Sequence, residues 1–156
     1  DRSTSALYNK LADLGIPQIT AWCSSTKFAK SESTPWVVQL DDSDQVVAEE
    51  MAAIALHLGL AKVGLLASND SYGLSGYAEL KQNFIAANVV VEGATVSPSA
   101  SASEIEPVLE RWVDMNIKAF VFFSGNLLVD GLLTALHNKQ LHGSDYIKIA
   151  NRFYDP

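Results

Sequence analysis

From Trp36 onward, short and almost wholly apolar runs alternate with longer segments of helical spacing. This alternation constrains the fold more than any other feature of the sequence. Trp36-Val37-Val38-Gln39-Leu40, Lys62 to Ala67, Val89 to Val96, Lys118 to Phe123 and Tyr146 to Ala150 read as strands. Gln45 to Leu58, Gly73 to Ala87, Ser103 to about Met115 and Leu127 to Lys139 read as the helices between them. Strands apolar on both faces need cover on both faces, and strand-helix-strand units join parallel neighbours. The expected fold class is therefore α/β, a three-layer α-β-α domain around a mostly parallel sheet. The first of these helices should bury Val47, Met51, Ile54 and Leu58, and the second Tyr77, Leu80, Phe84 and Ala87. Asp41-Asp42-Ser43-Asp44 can cap the first, and Ser103 with Glu106 has capping-box spacing for the third.

The first 35 residues do not fit that period. Leu7, Leu11 and Leu14 give Ser3 to Leu14 a helical stripe, and Gly15 is a stop signal. Pro17 opens an extended segment, Ile19 to Trp22, and Cys23 to Thr34 reads as an irregular connection. The extended segment can join the later sheet as an edge, or it can belong to a neighbouring lobe.

Composition removes several function classes. Lys and Arg number 11 against 18 Asp and Glu, a formal charge of -7, which disfavours nonspecific nucleic-acid binding. A hydrophobic content of 48% argues against disorder, and 1 Cys, read as buried, excludes an internal disulfide framework. The longest apolar runs, such as Val63 to Ala67 and Phe120 to Phe123, are too short to span a bilayer, so no direct membrane insertion is expected of this segment. The start, Asp1-Arg2-Ser3-Thr4, has no Met, no basic region and no apolar region, as expected of a mature or excised piece. Asn69-Asp70-Ser71 has the form of a glycosylation sequon.

Ligands of open parallel sheets sit beyond the carboxyl ends of the strands, near helix N-termini. Three stretches fall there: Cys23-Ser24-Ser25-Thr26, Ser68-Asn69-Asp70-Ser71-Tyr72-Gly73 and Ser124-Gly125-Asn126. Their hydroxyls, amides and backbone N–H groups suit a small polar or carboxylate-bearing ligand, and they equally suit capping and turn closure. No dinucleotide fingerprint, phosphate loop or nucleophile elbow is present, so no cofactor is expected. His57 lies in an apolar helix, and His137 and His142 lack metal-ligand spacing with Cys or Glu, so neither catalysis nor a metal is expected. Val37 to Asp42 resembles the first strand and acidic pair of response-regulator receiver domains. The third strand, however, continues into Ser97-Pro98-Ser99 without the acceptor Asp that phosphoryl chemistry there requires.

A second resemblance covers nearly the whole chain. Ile16-Pro17-Gln18-Ile19-Thr20, followed by Cys23-Ser24-Ser25-Thr26, resembles the first-lobe pocket strand and loop of type I periplasmic-binding-protein-like domains. That family includes branched-chain amino-acid binding proteins and receptor ectodomains. Asp42-Ser43-Asp44-Gln45 resembles its hinge crossing, and Ser71-Tyr72-Gly73-Leu74-Ser75-Gly76 its Y-G-x-S-G turn. The resemblance implies a partial first lobe at 1–35, a hinge-like crossing at 36–45, a second lobe at 46–150 and a tail at 151–156. It implies non-catalytic binding or sensing of a small ligand, with lobe closure, in an extracellular or periplasmic parent. Ser24, Ser25, Thr26, Tyr72, Ser124 and Asn126 become the expected ligand contacts, with a missing lobe, a partner subunit or a homodimer completing the site. The acidic residue that meets an ammonium group in amino-acid binders is absent from Ser124 to Asn126, so amino-acid specificity is not expected. A structural or protein-interaction module on the same fold is the alternative, which an exposed apolar patch would mark.

Overall fold

The computed structural model describes residues 2–21, 23–29 and 34–151. Trp22, residues 30–33 of the long connection and residues 152–156 of the tail lie outside the described residues. The chain divides into two compact units, Asp1–Val47 and Ala48–Pro156.

The first unit holds α1 (Arg2–Asp13), β1 (Gln18–Thr20), α2 (Thr26–Ala29) and β2 (Val37–Gln39), and α3 (Asp44–His57) begins within it. Gly15, at φ 66°, takes the left-handed conformation that turns the chain out of α1, and Ile16 N–H then bonds back to Leu11 O. β1 and β2 pair in parallel, with Gln18 opposite Val37. Cys23, Phe28 and Val37 form a small core with Tyr8 packed on it. Two sequence expectations change here. The strand after Trp36 does not open the large sheet but pairs with β1; of its three residues only Val37 is buried, so it lacks the two-faced apolar character of a central strand. The connection from Cys23 is not wholly irregular either, because burial of Phe28 goes with one turn of helix, α2.

The second unit continues through β3 (Lys62–Ser68), α4 (Ser71–Ala86), β4 (Val90–Val96), α5 (Ala102–Asp114), β5 (Ala119–Phe123), a 3-10 turn (Asn126–Leu128), α6 (Val129–Asn138) and β6 (Ile147–Ala150). Its four strands run parallel in the order β4-β3-β5-β6. β3 and β5 hold the centre, and β5 is buried along its whole length, which explains Phe120-Val121-Phe122-Phe123 as a strand sealed on both faces. Alternate residues divide between the faces. Leu66, Phe120 and Phe122 pack with Ile105, Leu109 and Trp112 of α5 and with Leu132, Ala135 and Leu136 of α6. Trp112 stacks on Phe120 at 5.8 Å between ring centres, and a Cβ at Gly64 would collide with its indole. On the other face α4 packs close to the sheet, since Gly76 leaves room for the ring of Phe123. The architecture is the expected three-layer α-β-α arrangement with a parallel sheet.

The helices depart from expectation in register rather than in existence. α3 buries Ala48, Met51, Ala52 and Ala55, while Ile54 and Leu58 are each 50% exposed. The buried face of α3 is therefore mostly a row of alanines, with Met51 among them. The capping box before α5 lies two residues earlier than expected. Ser101 N–H and Oγ both reach Glu104 Oε2, at 2.9 and 2.8 Å, and burial of the preceding Ala100 fixes that start. α4, α5 and α6 end alike: Asn88, Asn116 and Gln140 adopt φ of 58°, 55° and 56°. The next N–H bonds back to Phe84, Trp112 and Leu136 O respectively, at 2.8, 2.8 and 2.9 Å.

Candidate functional site

Because every strand of the large sheet is parallel, the carboxyl ends lie along one edge, where the strand-to-helix turns leave the sheet. The turn after β3 is built by neighbours in sequence. Asp70 caps α4 by accepting from Gly73 N–H at 2.8 Å, and Ser68 Oγ donates to the same carboxylate oxygen at 2.9 Å. Asn69 N–H bonds to Val96 O at 2.8 Å, tying the turn to the end of β4. Gly73 lies against the Ser68 carbonyl and hydroxyl with no room for a Cβ. This close start of α4 sets Tyr72 half-buried at the edge, its ring 5.0 Å from that of Phe123.

The turn after β5 is built by a residue far along the chain. Asn151 N–H bonds to Phe122 O at 3.2 Å, extending the β5–β6 ladder by one step. The Asn151 side chain then takes over where the strands part. Its Oδ1 accepts from Ser124 N–H at 3.2 Å, and its Nδ2 donates to Ser124 O at 3.3 Å and to Tyr72 Oη at 2.7 Å. Ser124 N–H can only donate, so the amide orientation follows from the network itself. One amide thus joins the turns after β3 and β5 with the end of β6, and presents a phenol, an amide and a serine in one place. Asp70, the carboxylate of this edge, already accepts two bonds from the protein.

Among the expected contacts, the structure therefore brings Tyr72 and Ser124 together through Asn151. Asn126, two residues beyond Ser124, opens the 3-10 turn and is exposed. Ser24, Ser25 and Thr26 lie in the first unit. Ser24 is buried and its carbonyl accepts Asp44 N–H at 2.6 Å, the Ser25 carbonyl accepts Phe28 N–H at 3.0 Å, and Thr26 opens α2. Sequence reasoning missed Asn151. Its place directly after an apolar strand set it at the same edge as the other two turns, but did not mark it as a bridge.

Residues 1–152 match the model of the receptor family ligand binding region, and the chain belongs to that family, whose fold is type I periplasmic-binding-protein-like. No curated protein matches the chain. Domains of this family are ligand-binding receptor or solute-binding domains that take small ligands; they are generally non-enzymatic and typically extracellular or periplasmic. No helix among the described residues is long and apolar enough to cross a membrane.

Proposed function

We propose that this chain is a non-catalytic ligand-binding segment of an extracellular or periplasmic receptor or solute-binding protein. Tyr72, Ser124 and Asn151 are its contacts to a small polar ligand. The observation that supports this reading best is the amide bridge from Asn151 to Tyr72 and to Ser124, at the sheet edge where parallel α/β folds take ligands. Family membership supports the mode of action, in which ligand stabilises closure of two lobes. Ser24, Ser25, Thr26 and Asn126 enter through their resemblance to family contacts. A facing lobe, a partner subunit or a second copy completes the enclosure that a flat edge lacks.

Titration of the whole chain against a small-metabolite panel, carboxylates included, tests this by calorimetry. Saturable binding that Tyr72→Ala abolishes is the expected result. A folded, monodisperse chain that binds nothing in the panel would overturn autonomous binding, and binding unchanged by both Tyr72→Ala and Asn151→Ala would overturn the site.

A further inference from the structure

The two histidines near the end of α6, which lack metal-ligand spacing with Cys or Glu in the sequence, are brought side by side by the fold. Gln140, in the left-handed region at φ 56°, reverses the chain after α6, and Leu141 N–H bonds back to Leu136 O at 2.9 Å. That reversal sets His142 against His137, with ring centres 5.3 Å apart and ring planes 23° from parallel, so the two imidazoles stack. The backbone around both is held. Leu141 is buried in the core, and Lys148 of β6 donates to the carbonyls of Leu141 and Gly143 on either side of His142, at 3.2 and 3.1 Å. Both imidazoles line an open hollow of about 610 Å³ shared with Asn138, Gln140 and Gly143.

From these observations we infer that His137 and His142 form a surface site for a borderline divalent transition-metal ion of the Cu²⁺, Ni²⁺ or Zn²⁺ type. With a metal–nitrogen bond of ~2.1 Å and the ring centre ~1.1 Å beyond the nitrogen, two imidazoles in adjacent positions stand with centres roughly 4.5 Å apart at the ~90° angle of tetragonal Cu²⁺ or Ni²⁺ and roughly 5 Å apart on a tetrahedral ion such as Zn²⁺. The observed 5.3 Å spacing falls near that range, and the stacked rings must turn out of their near-parallel arrangement to converge their nitrogens on one ion. The end of α6 adds the negative pole of the helix, which favours a cation. Charged neighbours are already engaged: Lys139 pairs with Glu106 and Glu110, and Lys148 is bonded to backbone carbonyls. Among the described residues no group of three or more His, Cys, Asp or Glu could hold a metal, so water fills the remaining positions and the site is exchangeable.

The chain has 3 histidines, which makes the test complete. The whole chain is titrated with Ni²⁺ and with Cu²⁺ by calorimetry, and Ni²⁺ broadening of the imidazole proton resonances is followed by NMR. One ion per chain is expected, with Cu²⁺ tighter than Ni²⁺. Binding should weaken at least about tenfold in His137→Gln and in His142→Gln, and stay unchanged in His57→Gln. These ring positions are exposed, so the variants keep the fold. Binding that survives the double variant His137→Gln/His142→Gln, or that Ca²⁺ displaces, would assign the ions to surface carboxylates and overturn the site. An absence of saturable binding would overturn it as well.

Discussion

The turns after β3 and β5 deliver side chains to the same place by opposite means. The first is a local construction, in which Ser68, Asp70 and Gly73 satisfy one another within six residues of chain. The second depends on Asn151, which is 27 residues from Ser124 in sequence. A local turn forms with its helix and holds one geometry. A turn held by a distant amide depends on β6 being in register, so it can loosen without disturbing the core. Ligand affinity should therefore respond to damage in both turns, whereas stability should respond mainly to the first.

Substitutions at four positions test that contrast. Gly73→Ala forces a Cβ into the Ser68 carbonyl and hydroxyl and should cost about 3 kcal/mol in urea denaturation, with ligand binding lost. Asn151→Ala leaves Ser124 N–H and Tyr72 Oη without their amide partner and should ease local opening of that turn by about 2 kcal/mol, with a smaller change in urea denaturation. Its signature is faster amide exchange at Ser124 with protection of β3 unchanged; equal loss in both would show the two turns to be one cooperative unit. Asp70→Ala removes the α4 cap and should cost about 1 kcal/mol, while Asp70→Asn should recover most of that loss. Tyr72→Phe should change stability by less than about 1 kcal/mol while weakening ligand binding several-fold, separating the site from the scaffold.

The third connection at this edge, before α5, provides a pH control with the smallest expected effect. Bonds from Ser101 N–H and then Ser101 Oγ hold the Glu104 carboxyl below its ordinary value. A depressed carboxylate stabilises the fold above its unfolded pKa and loses that contribution as pH falls through the folded one. The melting-temperature gap between wild type and Glu104→Gln should therefore be small at neutral pH and shrink on acidification. A gap that grows in acid would contradict the assigned bonds.

What was legible in the sequence follows the same division between local and distant. Strand and helix alternation from Lys62 onward is written in local apolar spacing, so the layers of the second unit and the buried Leu80 and Phe84 of α4 emerge from reading alone. Tyr72 was singled out because it follows an apolar strand and falls in the Ser71 to Gly76 turn that resembles the family's. Asn151 was not, because nothing local distinguishes a bridging amide from a polar residue ending a strand. The seam of α3 was misread for a related reason: hydrophobicity ranks Ile54 and Leu58 above Ala48, Ala52 and Ala55, yet the smaller residues are the buried ones. The partner of β2 was likewise a matter of pairing, which three residues do not specify.

Burial of Trp112 also has a spectroscopic consequence. The chain has 3 tryptophans, and Trp112 is the one within the second unit. Its indole is fully buried against Phe120, and its N–H has no acceptor among the described residues, so its emission should lie far to the blue. Trp36, 41% exposed in the first unit, should emit to the red of it. A Trp112→Phe subtraction would then assign the blue band, and the two units could be followed through unfolding as separate colours in a single cuvette.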